Sequence, residues 1–221
     1  MERHNISARV NPLSDPPGKV KAMANVTIDG VVAINNLTIV EGANGNFVGY
    51  PQTKDSKGDY RDIVEFIKDE NGKSGLKTAI NATLLKLYES NERQTATQEV
   101  KPADHNVTAF VTPLRDSQNA TKGLATVQVG GLFKINSIRV NENSTNGNLF
   151  AAMPSRPDKS SENGYREIIH PVTKDFGEKL KGAVLKQYEN QVAWKNRTAD
   201  KAQAPEQNNR QAANKSSHDL G

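Results

Sequence analysis

The sequence predicts an α+β protein built from two tandem units, each an antiparallel β-sheet covered by a C-terminal α-helix. Three observations lead to this prediction. They are an internal repeat, segments of alternating polarity in the first half of each copy, and a helical apolar stripe at the end of each copy. The chain has 221 residues, which is enough for two small domains.

The repeat is clearest in two segments that begin with Asn-Gly-Asn. Residues 44–67 read NGNFVGYPQTKDSKGDYRDIVEFI, and residues 146–172 read NGNLFAAMPSRPDKSSENGYREIIHPV. In both, a short apolar run stops at a proline, a polar loop follows, and a Tyr-Arg-acidic triplet leads into two β-branched residues. Asn5 matches Asn106 at one end of the repeat. A chain that repeats so specific a run contains two copies of one unit.

The repeat boundaries divide the chain into four parts. We predict a first unit over residues 1–89, a polar linker over 90–105, a second unit over 106–194 and a polar tail over 195–221. The linker has no apolar period, and as a flexible coil it would span about 20–25 Å, which lets the two units pack together. The tail is rich in Gln, Asn, Lys and Ala, a composition typical of disorder.

Alternation of polar and apolar residues predicts the strands. Residues 20–28 alternate with period two, residues 121–129 do the same, and Asp29-Gly30 and Gly130-Gly131 supply the positive φ angles that a tight hairpin needs. In the following strand of each unit, the apolar residues change from one parity to the other. A β-bulge at residues 35–36 and again at 136–137 would turn both halves of that strand toward one core.

A helical stripe closes each unit. Apolar side chains recur at intervals of three and four residues, which is the pattern of a helix with one face against a sheet. The stripe comprises Leu76, Ala79, Ile80, Thr83, Leu84, Leu87 and Tyr88 in the first unit, and Phe176, Leu180, Ala183, Val184, Gln187 and Tyr188 in the second.

Several functional classes find no support in the sequence. There are no cysteines, so disulfides, Cys-ligated zinc and a thiol nucleophile are excluded. No segment has the length and hydrophobicity of a membrane helix, and the start of the chain has no signal-peptide core, so we expect a cytoplasmic protein. Gly72-Lys73-Ser74 lacks the first glycine of a phosphate-binding loop, and His170 precedes a proline in a predicted turn. We predict no enzyme activity, cofactor, metal or small-molecule substrate.

The second unit resembles a known family through its motifs NGNLFAAMPS, GYREIIHPV and KLKGAVLKQYE. They are similar to those of the SpoVG family (stage V sporulation protein G, also called septation protein). The first unit departs from the pattern, because Tyr50 stands in place of Met153 and Glu65-Phe66 replaces His170-Pro171. Family members are bacterial, pair as homodimers, affect septation and sporulation, and regulate by binding DNA or RNA. The resemblance implies that this chain forms the pair internally, as a pseudo-dimer, with further self-association left open.

The distribution of charge indicates where nucleic acid would bind. The formal net charge is +4, and most of the excess of Lys and Arg lies in the second unit and the tail. Such side chains can neutralise phosphates. The candidate nucleic-acid-binding residues are Arg61, Arg156, Lys159, Arg166, Lys179, Lys181, Lys186, Lys195 and Arg197.

Each candidate also has a structural interpretation. The helix lysines are equally typical of a solvated surface. Arg61 and Arg166, each between a tyrosine and an acidic residue, either grip phosphate or pair with a local carboxylate and fix the loop. The resemblance, together with the excess of Lys and Arg in the second half, therefore implies a regulator of septation or sporulation-linked expression that binds DNA or RNA. The alternative is a protein-interaction module of the division machinery that does not bind nucleic acid.

Overall fold

A computed structural model describes residues 4–15, 18–55, 57–96, 101–114, 117–162 and 164–203. The first half contributes β1 (Ile6–Pro12), β2 (Val20–Ile28), β3 (Val32–Gly42), β4 (Gly45–Gly49), β5 (Gln52–Lys54), β6 (Tyr60–Asp62), β7 (Val64–Phe66) and helix α1 (Gly75–Glu89). The second contributes β8 (Val107–Pro113), β9 (Thr121–Val129), β10 (Phe133–Glu142), β11 (Leu149–Ala152), β12 (Ser155–Pro157), β13 (Tyr165–Glu167), β14 (Ile169–Pro171) and helix α2 (Lys174–Gln203). The same order of elements in both halves confirms the predicted α+β class and the two tandem units.

The strands form two five-stranded antiparallel sheets and two small hairpins. The first sheet has the order β1-β2-β3-β14, with β4 also paired to β3. The second sheet has the order β11-β10-β9-β8, with β7 also paired to β10. The hairpins are β5–β6 in the first half and β12–β13 in the second. Each large sheet therefore contains one strand that comes from the other half of the chain.

The predicted turns and bulges are present at the expected positions. Asp29 and Gly30 have φ angles of 49° and 66°, as the hairpin between β2 and β3 requires. The pairing of β2 with β3 shifts register between Ala24 and Val26, and that of β9 with β10 shifts between Ile135 and Ile138. At the bulges, Asn36 and Ser137 have φ angles of 61° and 64°. The bulge lets residues on both sides of it face the core.

The bulges also hold the exchanged strands. In the second sheet β7 pairs with β10, and the Asn136 main-chain N–H donates to the Ile63 carbonyl oxygen over 2.8 Å. The Asn136 side-chain amide donates to the carbonyl oxygen of Asp62 over 3.0 Å. In the first sheet β14 pairs with β3, and Asn35 makes the equivalent two bonds to Ile168 (2.7 Å) and Glu167 (3.1 Å). An asparagine at the bulge of each central strand, Asn35 in one unit and Asn136 in the other, therefore joins the two halves of the chain.

One helix packs on each sheet, as the stripes predict. The residues buried on α1 are Leu76, Ile80, Leu84 and Leu87, and those on α2 include Phe176, Leu180 and Val184. Buried side chains of both halves form one hydrophobic cluster. Exchanged strands contribute to it, because Phe66 of β7 lies against Phe133 of β10 with ring centroids 6.3 Å apart. The core is thus shared between the two units.

The linker differs from the predicted flexible coil. After α1, the Val10 N–H donates to the carbonyl oxygen of Arg93 (2.8 Å), and the Thr95 N–H donates to the carbonyl oxygen of Ala8 (3.0 Å). This part of the linker therefore lies along the free edge of β1. Further on, His105 Nε2 lies 2.9 Å from the buried carboxylate of Asp29. An edge strand has unpaired main-chain N–H and C=O groups that can form hydrogen bonds with a nearby extended segment. The pattern of polar and apolar residues in the linker does not show this pairing.

Helix α2 is longer than the sequence boundary predicts. The predicted second unit ends at Trp194, whereas the helix continues to Gln203. Charged and polar residues after Trp194 give no apolar stripe, but most of them are acceptable in a helix. The rest of the predicted tail, residues 204–221, lies outside the described part of the chain. No helix in the described ranges is long and apolar enough to cross a membrane.

Candidate nucleic-acid interface

A groove of about 900 Å³ lies where the β5–β6 hairpin of the first unit meets the second sheet. We call it the second-sheet groove. Its basic side chains come from both halves of the chain, and it also has an apolar surface on β8 and β9. The side chains that matter here are Lys54, Asp55, Arg61, Phe110, Leu124, Arg139 and Arg156.

The apolar part of this groove lies on the outer face of the sheet. Phe110 is 55% exposed and Leu124 is 48% exposed, whereas their neighbours Val111 and Ala125 are buried on the other face. Arg139 is the cross-strand partner of Leu124. A cation therefore lies directly beside an exposed apolar side chain, and an exposed aromatic ring is available on the next strand. This combination suits a ligand that has both anionic and flat apolar parts.

The repeat produces a second, smaller groove of about 590 Å³ on the first sheet. We call it the first-sheet groove. The β12–β13 hairpin contributes Arg156, Tyr165 and Arg166 to it, and the sheet contributes mainly Asn11, Met23, Asn25, Asn35 and Asn36. Met23 occupies the repeat position of Leu124, and Arg9 that of Phe110. Its sheet surface is therefore mainly amide-bearing, without an aromatic ring.

Arg61 and Arg166 pair with local carboxylates. Arg61 Nε lies 3.0 Å from Asp55, and Arg166 Nε lies 2.7 Å from Asp158. The Arg61 guanidinium holds the pKa of the Asp55 carboxyl below its ordinary value, and main-chain N–H groups of the loop add to this. This geometry favours the loop-fixing interpretation for both arginines. They remain more than half exposed, so they also face the grooves that they line.

The hairpin of the second unit is organised around Asp158. The Ser160 hydroxyl and main-chain N–H donate to this carboxylate over 2.6 and 2.9 Å. Together with the positive charges of Arg166 and Arg156, these bonds hold the pKa of Asp158 below its ordinary value. Arg156 is the cross-strand partner of Arg166 and lines both grooves. It is the candidate that the fold places most centrally.

The helix candidates fall into two groups. Lys179 Nζ donates to Asp104 (2.6 Å) and to the carbonyl oxygen of His105 (2.8 Å), so it attaches the linker to α2. Lys195 Nζ donates to the carbonyl oxygen of Pro113 at the end of β8 (3.1 Å). These two lysines have structural roles that the sequence did not predict, because both partners are distant in the chain.

The remaining candidates are exposed and lie outside the grooves. Lys181, Lys186 and Arg197 on α2 and Lys159 in the β12–β13 loop make no ion pair with other residues in the described ranges. None of the four lines either groove. Of the nine candidates, the fold brings together Arg61 and Arg156 in one groove and Arg156 and Arg166 in the other.

Sequence reasoning missed Lys54, Arg139, Phe110 and Leu124. For the two apolar residues a signal was present. Leu124 falls at an even position in a strand whose buried residues Ala125, Val127 and Val129 are odd, so the period predicts an outward side chain. No sequence signal brought Lys54 and Arg139 together, because they line one groove only when the β5–β6 hairpin lies over the second sheet.

Each half of the chain is similar to proteins of one known family. The SpoVG family model matches residues 2–90 and again residues 106–190. The chain belongs to the SpoVG family. The septation protein SpoVG of Symbiobacterium thermophilum is 36% identical over 87 residues, which is 39% of this chain and 58% of that protein.

Two further relatives resemble this chain to a similar degree. The SpoVG septation protein of Thermoanaerobacter sp. is 31% identical over 88 residues, or 40% of this chain and 89% of the relative. The Listeria innocua protein SpoVG 1 is 32% identical over 90 residues, or 41% of this chain and 82% of the relative. These relatives are named for septation and not for a catalysed reaction. Each match spans about one unit, whereas this chain has two.

Proposed function

We propose that this member of the SpoVG family is a cytoplasmic regulator of septation or sporulation-linked gene expression that binds nucleic acid in the second-sheet groove. The observation that carries the proposal is the arrangement of Arg139, Arg156 and Phe110 around one open groove. Cations along a groove neutralise a phosphate backbone, and exposed aromatic rings stack on bases. A single strand presents unpaired bases, so single-stranded RNA or DNA is the ligand that this groove fits best.

The strand exchange supports a second part of the proposal. Each sheet contains a strand of the other unit, and the hydrophobic core is continuous across both. We therefore propose that the two units form within one chain the pair that a single-unit relative would form from two chains. The mass of the protein in solution tests this. A mass of one chain, 24.1 kDa, is expected, and a stable two-chain mass would indicate further self-association.

The proposed ligand is tested with labelled oligonucleotides of about 16 nucleotides. Their affinity for the protein is measured by fluorescence anisotropy at several salt concentrations. We expect a plot of log affinity against log salt to fall linearly for single strands. Arg139→Gln combined with Arg156→Gln should weaken binding and reduce the slope by roughly 0.7 for each phosphate that is no longer neutralised. Lys181→Gln combined with Lys186→Gln is the matched control, because it removes the same charge from exposed positions on α2.

The aromatic ring is tested separately. Phe110→Ala should cost about 1–3 kcal/mol of binding free energy with little change in the salt slope, since stacking involves no counterions. Trp194→Ala removes another exposed aromatic, 56% exposed on α2, and should leave binding unchanged. If the α2 variants weaken binding and the groove variants do not, the helix surface predicted from charge is the binding site.

One further outcome would refute nucleic-acid binding altogether. A protein that binds neither single-stranded nor double-stranded oligonucleotides at about 50 mM salt has no significant phosphate contacts. The protein-interaction alternative would then remain, with Phe110 and Leu124 as the exposed apolar contacts of the second-sheet groove.

A further inference from the structure

The outer edge of β1 is covered by a short segment of the linker. The Val10 N–H donates to the carbonyl oxygen of Arg93, and the Thr95 N–H donates to that of Ala8. The Ala8 N–H donates in turn to the Thr95 hydroxyl over 3.1 Å. Arg9 and Gln94 are antiparallel bridge partners. Residues 93–95 therefore add a short extra strand to the first sheet.

The repeat predicts the same hydrogen-bonding groups at the outer edge of β8. Ala109 and Val111 occupy the repeat positions of Ala8 and Val10. At the two ends of β8, the Gly130 N–H donates to the carbonyl oxygen of Asn106 and the Leu114 N–H donates to that of Lys122. The matching bonds of β1 are those from Asp29 to Asn5 and from Leu13 to Lys21, so both strands pair with their inner neighbours in the same way. Residues 109 and 111 must then direct their main-chain groups outward.

Within the described ranges, no main-chain segment bonds to this edge of β8. The only outward carbonyl that finds a described partner there is that of Pro113, which accepts from Lys195. The second-sheet groove continues along the edge, where Val111 and Thr112 line it together with Gln187 and Gln191 of α2. The edge therefore has both the hydrogen-bonding groups and the space for a strand.

The chain contains a second copy of the segment that covers β1. Residues 91–96 read Asn-Glu-Arg-Gln-Thr-Ala, and residues 208–213 read Asn-Asn-Arg-Gln-Ala-Ala. Four of the six positions are identical, including the Arg and Gln that correspond to Arg93 and Gln94. In both units this segment follows the closing helix. It comes later in the second unit because α2 continues to Gln203, whereas α1 ends at Glu89.

The connection is long enough to return to β8. Helix α2 contacts the end of β8 at Lys195, and eight further helical residues carry the chain about 12 Å away, to Gln203. The seven residues from Gln203 to Arg210 span up to about 24 Å when extended. Arg210 can thus reach the edge at Val111.

We propose that residues 208–213 add to the outer edge of β8 as an antiparallel strand, in the way that residues 91–96 cover β1. In this register the Val111 N–H donates to the Arg210 carbonyl oxygen, the Ala212 N–H donates to the Ala109 carbonyl oxygen, and Gln211 lies opposite Phe110. Because Ala212 replaces Thr95, the hydroxyl bond of the linker strand is absent, and this strand is held less strongly than its counterpart.

Disulfide trapping in the full chain tests the register, since the chain has no cysteine of its own. Phe110→Cys with Gln211→Cys should form a disulfide within one chain, detected by mass spectrometry of unreduced peptides. Arg9→Cys with Gln94→Cys is the positive control, because these residues are bridge partners at the distance a disulfide requires. Phe110→Cys with Lys215→Cys is the control for random tail contacts.

Two outcomes of this experiment would overturn the proposal. In the first, the disulfide between residues 110 and 211 forms in no higher yield than the one between residues 110 and 215, although the control disulfide between residues 9 and 94 does form. The other is a 110–211 disulfide found only between two chains, which would make a second copy the occupant of the edge.

Amide hydrogen exchange supplies an independent measurement on the full chain. Ala212→Pro removes the donor to Ala109, so the Val111 amide should exchange about tenfold faster than in the parent chain, the effect of losing one or two main-chain hydrogen bonds. His218→Pro lies outside the repeated segment and should leave the Val111 amide unchanged. An equal Val111 exchange rate in the parent and in Ala212→Pro would contradict the proposed strand.

Discussion

Replacing Asn136 by alanine tests how the two halves are joined. The Asn136 side chain makes two hydrogen bonds, one from the Thr126 hydroxyl (3.0 Å) within the second sheet and one to the carbonyl oxygen of Asp62 (3.0 Å) in the other half. A typical hydrogen bond contributes about 0.5–1.5 kcal/mol to stability. Asn136→Ala should therefore lower the free energy of unfolding by about 1–3 kcal/mol.

A second variant separates the two bonds. Thr126→Val removes only the bond within the sheet and should cost about 0.5–1.5 kcal/mol. The two substitutions should differ by about 1 kcal/mol in the free energy of unfolding that they remove, and this difference is the contribution of the bond between the Asn136 side chain and Asp62. Asn35→Ala in the first sheet removes the equivalent bond to Glu167 and a second contact with His170 Nδ1 (3.3 Å), and it should lower the free energy of unfolding by about 1–3 kcal/mol.

Equilibrium unfolding in urea, followed by circular dichroism, gives the free energies for this comparison. Asn136→Ala should lower the urea midpoint more than Thr126→Val does, with no change in slope. If the two variants unfold at the same urea concentration, the bond to Asp62 contributes nothing, and the bulge asparagine does not hold the exchanged strand.

The core and the β12–β13 hairpin give two further predictions. Leu84→Ala and Val184→Ala each leave a cavity under a helix and should lower the free energy of unfolding by roughly 1–5 kcal/mol, the leucine more, as measured by urea denaturation. Asp158 has a lowered pKa in the folded protein, so its contribution to stability is present above the ordinary pKa of an aspartate and is lost as the pH falls through the lowered value. Ser160→Ala should raise the pKa of Asp158, and by more than Arg166→Gln does, in an NMR titration of the carboxyl carbons; no rise in either variant would contradict this account.

Local patterns predicted most elements of the fold. The change of parity around Asn35 and Asn136 located both bulges, because side-chain direction depends only on neighbouring residues in a strand. The same patterns could not reveal that β7 and β14 join the opposite sheets. Their three-residue length carries almost no periodicity, and their partners are more than 60 residues away in sequence.

The candidate site was harder to predict for the same reason. Charge and motif position identified Arg61 and Arg156, but their proximity follows from the exchange of strands and hairpins between units. Lys179 and Lys195 had the same appearance in the sequence as Lys181 and Lys186. Only the fold distinguishes the first two, because it places carbonyl and carboxylate oxygens within their reach.

The covalent connection between the two copies lets their surfaces diverge. In a symmetric homodimer each substitution appears twice, so both grooves would have to change together. Here Leu124, Arg139 and Phe110 occur on one sheet, while Met23, Thr38 and Arg9 stand at the matching positions of the other. Two units in one chain can therefore share a scaffold while each sheet has its own set of surface side chains.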